Sequence, residues 1–105
     1  MVTITVVNKH KDDDLKAIYI GRGSALGNPF PISDGRTRAQ VIDLYRVWLD
    51  EKIKAEDWTV CNELNIIAMK AQEPNGVKLK CFCKPLACHG DIIKDVVLKA
   101  LNQGS

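Results

Sequence analysis

Val77-Lys78-Leu79-Lys80-Cys81-Phe82-Cys83 alternates strictly. Val77, Leu79, Cys81 and Cys83 fall on one face, and Lys78, Lys80 and Phe82 on the other. A period of two is the signature of a strand with one buried face. Lys84-Pro85-Leu86-Ala87 stops the strand, because proline donates no ladder hydrogen bond. Ile92, Ile93, Val96, Val97, Ala100 and Leu101 then recur at helical spacing, which predicts a helix capped near Asp91. On the upstream side, Glu73-Pro74-Asn75-Gly76 terminates whatever precedes the strand.

What precedes it is helical. Val60, Leu64, Ile67, Ala68 and Ala71 lie on one side of a predicted helix from Trp58 to Ala71. An earlier helix starts at Thr37, which makes a capping-box pattern with Gln40. Val41, Leu44, Tyr45 and Trp48 form its apolar stripe. Further upstream, Ala17 to Ile20 and the β-branched Val2 to Val7 read as two more strands. The order is β, β, loop, α, α, β, α. The helical link from Ile20 to Val77 makes those two strands parallel, joined by a right-handed, Rossmann-like crossover. The short link from Asn8 to Lys16 favours an antiparallel first pair. The expected architecture is a single α/β domain over residues 1–105. Its small mixed sheet has three strands, or four, flanked by three helices.

Composition agrees. The chain has 105 residues, of which 46% are hydrophobic and 27% charged, so whole-chain disorder and low-complexity architectures are excluded. The net charge of +2 is too small to argue for nucleic acid. No apolar run approaches the ~20 residues of a membrane span, and the N-terminus is too polar for a signal peptide. The expected setting is a reducing cytoplasm. There, three of the four cysteines clustered between Cys81 and Cys88 point to metal or thiol chemistry rather than to a disulfide staple. Cys61, alone in a helix, reads as a core residue.

Two segments carry candidate chemistry, and parallel strands bring them to one place. The loops after Ile20 and after Cys83 leave the same carboxyl edge of the sheet, where ligands bind in open α/β folds. In Gly21-Arg22-Gly23-Ser24-Ala25-Leu26-Gly27-Asn28, glycines let the backbone approach an anion and point N–H groups at it. Arg22 offers a bidentate contact, and Ser24 and Asn28 offer hydrogen bonds. The ligand-binding candidates are therefore Gly21, Arg22, Gly23, Ser24, Gly27 and Asn28. The spacing is neither the dinucleotide fingerprint nor a Walker loop, and a plain glycine-rich turn is the competing reading.

The second segment is Cys81-Phe82-Cys83-Lys84-Pro85-Leu86-Ala87-Cys88-His89-Gly90-Asp91. Cys81, Cys83, Cys88 and His89 have the ligand count of a closed zinc site. However, a C-x-C pair on a strand sits about 6.5–7 Å apart at Cα, and adjacent Cys88 and His89 strain the geometry. In the thiol reading, Cys88 sits before a helix amino end that would lower its pKa. His89 acts as base, Asp91 orients it, and Cys83 supplies a further thiol. The catalytic candidates are Cys83, Cys88, His89 and Asp91. Cys81 shares a face with Val77 and Leu79 and can equally be a small core residue.

Three stretches together resemble a family of small domains of unknown function found in bacteria and phages. They are Tyr19-Ile20-Gly21-Arg22-Gly23-Ser24-x-Leu26-Gly27-Asn28-Pro29-Phe30, then Tyr45-Arg46-x-Trp48-Leu49, then Cys81-x-Cys83-x-Pro85-x-x-Cys88-His89-Gly90-Asp91. The likeness runs from Val6 to about Leu98, and Phe82 stands where members commonly carry Trp. It implies that both motifs form one site in an intracellular bacterial or phage setting, and it supplies no reaction.

The functional expectation is a domain that binds, with or without processing, a phosphate-bearing nucleotide or nucleoside derivative. The alternative is a zinc-stabilised interaction module docking on a host protein. A small anionic ligand is the expected partner, no membrane is involved, and the unpaired sheet edges leave room for a homodimer.

Overall fold

The computed structural model describes residues 2–8, 17–21, 23–30, 35–81 and 88–103. Strand β3 (Val77–Cys81) lies at the centre of a three-stranded sheet, between β1 (Ile4–Asn8) and β2 (Ile18–Tyr19). Both neighbours run parallel to β3, with Ile4 opposite Val77, Asn8 opposite Cys81, and Ile18 opposite Leu79. The α/β class, the three strands and the parallel relation of β2 to β3 match expectation.

The antiparallel first pair does not, and the sheet is parallel rather than mixed among the described residues. β1 and β2 never pair, because β3 inserts between them. The link from Asn8 to Lys16 is too short for a crossover with a helix. β2, however, starts level with Val6, two residues short of the end of β1 and two strand spacings away, so the return is about 12 Å, well within the roughly 30 Å that nine extended residues span.

Helix α1 (Arg38–Lys54) begins with the predicted capping box. The Gln40 N–H donates to Thr37 Oγ1 at 3.1 Å, and the Thr37 N–H donates to Gln40 Oε1 at 2.8 Å. Lys52 and Lys54 in the last turn suit the negative end of the helix dipole. Helix α2 (Trp58–Ala71) has the predicted bounds and is capped by Asp57, whose carboxylate accepts from the Val60 N–H at 3.0 Å.

Helix α3 (His89–Gln103) starts two residues before the cap expected near Asp91. Cys88 occupies the capping position. Its N–H donates to the Asp91 carboxylate at 3.3 Å, and the Gly90 N–H donates to its sulfur. Asp91 thus acts as the reciprocal member of a capping box.

The alternation in β3 sets the layering. Val77, Leu79 and Cys81 are buried, and Lys78 and Lys80 are half-buried on the other face. The buried face joins Ile4 and Ile20 to Tyr45 and Leu49 of α1, Ile67 and Ala71 of α2, and Ile93 and Val97 of α3 in one core. Fully burying a side chain such as Leu79 contributes about 1.5–3 kcal/mol. Leu44, expected on the apolar stripe of α1, is exposed, and Trp48 packs only partly against the core. Cys61 is half-buried at the margin of α2.

Candidate functional site

With all three strands parallel, the carboxyl ends of β1, β2 and β3 line one edge. The chain leaves β2 through Ile20, whose N–H donates to Lys80 O at 2.9 Å, and enters the glycine loop. That loop is tied to itself. Gly21 O accepts from Ser24 Oγ at 2.6 Å and from Ser24 N at 3.1 Å, and the Gly27 N–H donates to Ser24 O at 3.0 Å. Asn28 Oδ1 accepts from the Phe30 N–H at 2.9 Å, an Asx turn that closes the segment. Gly21 is buried. Gly23 is exposed at φ +90°, a left-handed conformation that favours glycine. Leu26 is fully buried and anchors the loop in the core.

The amino end of α3 packs against the same edge. His89, 7% exposed, donates its Nε2–H to Ile20 O. A Cβ on Gly90 would stand 2.8 Å from Val6 Cγ1 and 2.9 Å from Ile20 Cδ1, so a glycine here allows the helix to come this close to β1 and β2. Tyr45 of α1 completes the junction. Its hydroxyl donates to Leu26 O at 2.7 Å, and its ring meets His89 edge-on with centroids 5.0 Å apart.

Cys81 and Cys88, from β3 and the threshold of α3, bring their sulfurs to 3.1 Å. Burial first, and then the Cys81 hydrogen bond, push the Cys88 thiol up to about 12. This reverses the lowering expected from the helix amino end. The Gly90 N–H acts in the expected direction but is outweighed by desolvation and the neighbouring sulfur. Burial also lowers the His89 pKa, against the opposing pull of Ile20 O and Asp91. The Tyr45 phenol is raised by burial and then by Cys88, so it stays a donor. At neutral pH the cluster therefore holds a protonated Cys88 thiol, a neutral imidazole and a phenol. Such groups shape and hold a site more readily than they attack a substrate.

The structure brings His89 to Ile20, the residue before Gly21, and it brings Cys81 to Cys88. Ser24, Gly27 and Asn28 bond within their own loop, and Asp91 bonds back to Cys88. Arg22 and Cys83 lie outside the described residues. Of the four zinc candidates, Cys81 and Cys88 adjoin, whereas His89 points its Nε2 at a carbonyl. No group of three metal-ligating side chains forms among the described residues.

Two contributors escaped the sequence reading. In sequence Tyr45 reads as core and as part of a motif, and Leu26 only as part of a motif. The signals were a tyrosine at a fully buried helix position, where a phenol needs an acceptor, and one leucine inside a Gly/Pro loop.

Comparison with known proteins places this chain in a family. It belongs to the Domain of unknown function (DUF4326) family, whose model matches residues 6–99. It is similar to the "Uncharacterized 12.4 kDa protein in nrdA-td intergenic region" of Enterobacteria phage T4. The two are 36% identical over 93 residues, covering 88% of this chain and 75% of the phage protein. No solved structure matches.

Proposed function

We propose that this DUF4326 domain binds a phosphate-bearing nucleotide or nucleoside derivative at the carboxyl edge of its sheet, between the Gly21–Asn28 loop and the amino end of α3. One observation carries the reading. All the described strands are parallel, so the glycine loop and the Cys/His segment leave the same edge, with His89 bonded to Ile20 O. That edge is where open α/β sheets take ligands.

The phosphate belongs to the loop, at the exposed Gly23 backbone and Arg22, because at the start of α3 the Cys88 N–H already donates to Asp91, the Gly90 N–H to the Cys88 sulfur and the Asp91 N–H to Cys88 O. Asp91, half-buried at the rim, suits recognition of a hydroxyl. With Cys88 protonated and His89 neutral, the chemistry supports binding ahead of processing. The setting proposed is the cytoplasm, that of the host where a phage encodes the chain. No helix among the described residues is long and apolar enough to cross a membrane.

A thermal-shift panel of nucleoside mono-, di- and triphosphates tests this. At least one is expected to raise the melting temperature in a saturable manner, and a flat panel contradicts the reading. The zinc-stabilised module is the second reading. It predicts stoichiometric zinc in the purified chain and unfolding by a chelator.

A further inference from the structure

Cys81 is 1% exposed and Cys88 is 2% exposed, and their sulfurs lie 3.1 Å apart. Both cysteines are held from outside the pair. Cys81 sits in the ladder opposite Asn8, and Cys88 is fixed by Asp91 and Gly90 at the start of α3. Two sulfurs on one zinc ion stand about 3.7 Å apart, given bonds of about 2.3 Å at the tetrahedral angle. The pair is closer than a shared metal requires.

We propose that Cys81 and Cys88 are a reversible redox pair that low-molecular-weight disulfides convert to an intrachain disulfide joining the end of β3 to the start of α3. This goes beyond nucleotide binding and does not depend on it. In the first step, one protein thiol, as its thiolate, attacks a sulfur of the small disulfide and expels one small thiolate. In the second, the other protein thiol displaces the remaining small thiol from the mixed disulfide. The protein gives up two electrons and two protons. The small disulfide takes them and leaves as two thiols. Because the sulfurs already touch, the second step is intramolecular and well oriented.

The resting state in a reducing compartment is the dithiol, so the crosslink records a shift to oxidising conditions rather than serving as a permanent staple. Burial makes the reaction slow at neutral pH, and its rate climbs with pH as the thiolate fraction grows.

The experiment equilibrates the folded chain, dialysed against a chelator, with oxidised glutathione at mildly alkaline pH. Free thiols are then alkylated, and the chain is read by intact mass and peptide mapping. Two of the four thiols are expected to become unreactive, with a mapped bridge between Cys81 and Cys88 that reduced thiol reverses. The oxidised form is expected to melt on the order of 10 °C higher. Cys61→Ser and Cys83→Ser retain the bridge, and Cys81→Ser and Cys88→Ser lose it. All four thiols alkylated after equilibration, a persistent glutathione adduct, or a bridge to Cys83 or Cys61 would each overturn the proposal. Mapping the unaltered chain decides the matter even if a serine variant fails to fold.

Discussion

Tyr45 and His89 meet edge-on, 5.0 Å between ring centroids, and each holds one carbonyl of the segment leaving β2: Tyr45 that of Leu26, and His89 that of Ile20. Two helices distant in sequence thereby fix the path of the glycine loop.

Removing the phenol isolates the first of these bonds. Tyr45→Phe keeps the ring against His89 but leaves Leu26 O without that donor, on a residue with no solvent exposure. The expected loss is about 1–3 kcal/mol, read as a lower urea midpoint at unchanged slope. An unchanged midpoint would mean that the bond contributes nothing.

His89 gives a pH signature. Its folded-state pKa lies below the ordinary 6.5, chiefly through burial. The unfolded chain therefore binds the proton more readily. The stability due to a neutral His89 is complete above the unfolded value and is lost as pH falls through it toward the folded value. Urea midpoints measured from about pH 7.5 down to about pH 5.5 should decline. His89→Asn should flatten that decline. A wild-type profile that rises on acidification contradicts the assignment.

Glycine substitutions separate crowding from backbone conformation. A Cβ at Gly27 would lie 2.5 Å from Gly21 O, a backbone atom that cannot move without undoing the Ser24 bonds. Gly27→Ala should cost about 2 kcal/mol or more. Gly23→Ala meets no neighbour within 4 Å and suffers only from φ +90°, a cost of about 1 kcal/mol. Equal effects, or the reverse order, by chemical denaturation would contradict the loop geometry.

Much of this frame is legible in the sequence. The Thr37–Gln40 box, the bounds of α2 and the alternation of β3 are local signals, and each recurs in the structure. Strand order is not local. Nothing within Val2 to Val7 says that β3, some seventy residues later, will pair with β1 and separate it from β2. The sequence points to a cap near Asp91 because cysteine is not among the usual capping residues, although Cys88 uses its sulfur as serine uses its oxygen. The Cys88 pKa went the other way for a similar reason. A helix amino end is visible in sequence, whereas burial beside Cys81 depends on how β3 and α3 pack. Tyr45 was legible as core, but its hydroxyl's acceptor, Leu26 O, lies nineteen residues away across a loop.

Asp91 serves the helix before it serves any ligand. Asp91→Ala removes the acceptor of the Cys88 N–H and the negative charge near the amino end of α3. A loss of roughly 1 kcal/mol is expected, measurable by thermal or urea unfolding. A neutral or stabilising change would show that Asp91 is not a capping residue.

The central claim is that the glycine loop and the amino end of α3 form one nucleotide-binding edge. Backbone amide shifts, followed by NMR during titration with a nucleoside diphosphate or triphosphate chosen by the thermal-shift panel, test it most directly. Saturable shifts concentrated in Gly21–Asn28 and His89–Asp91 are expected, with α2 undisturbed. Shifts confined to α2 or the outer face of α1, or none at saturating ligand, would contradict it.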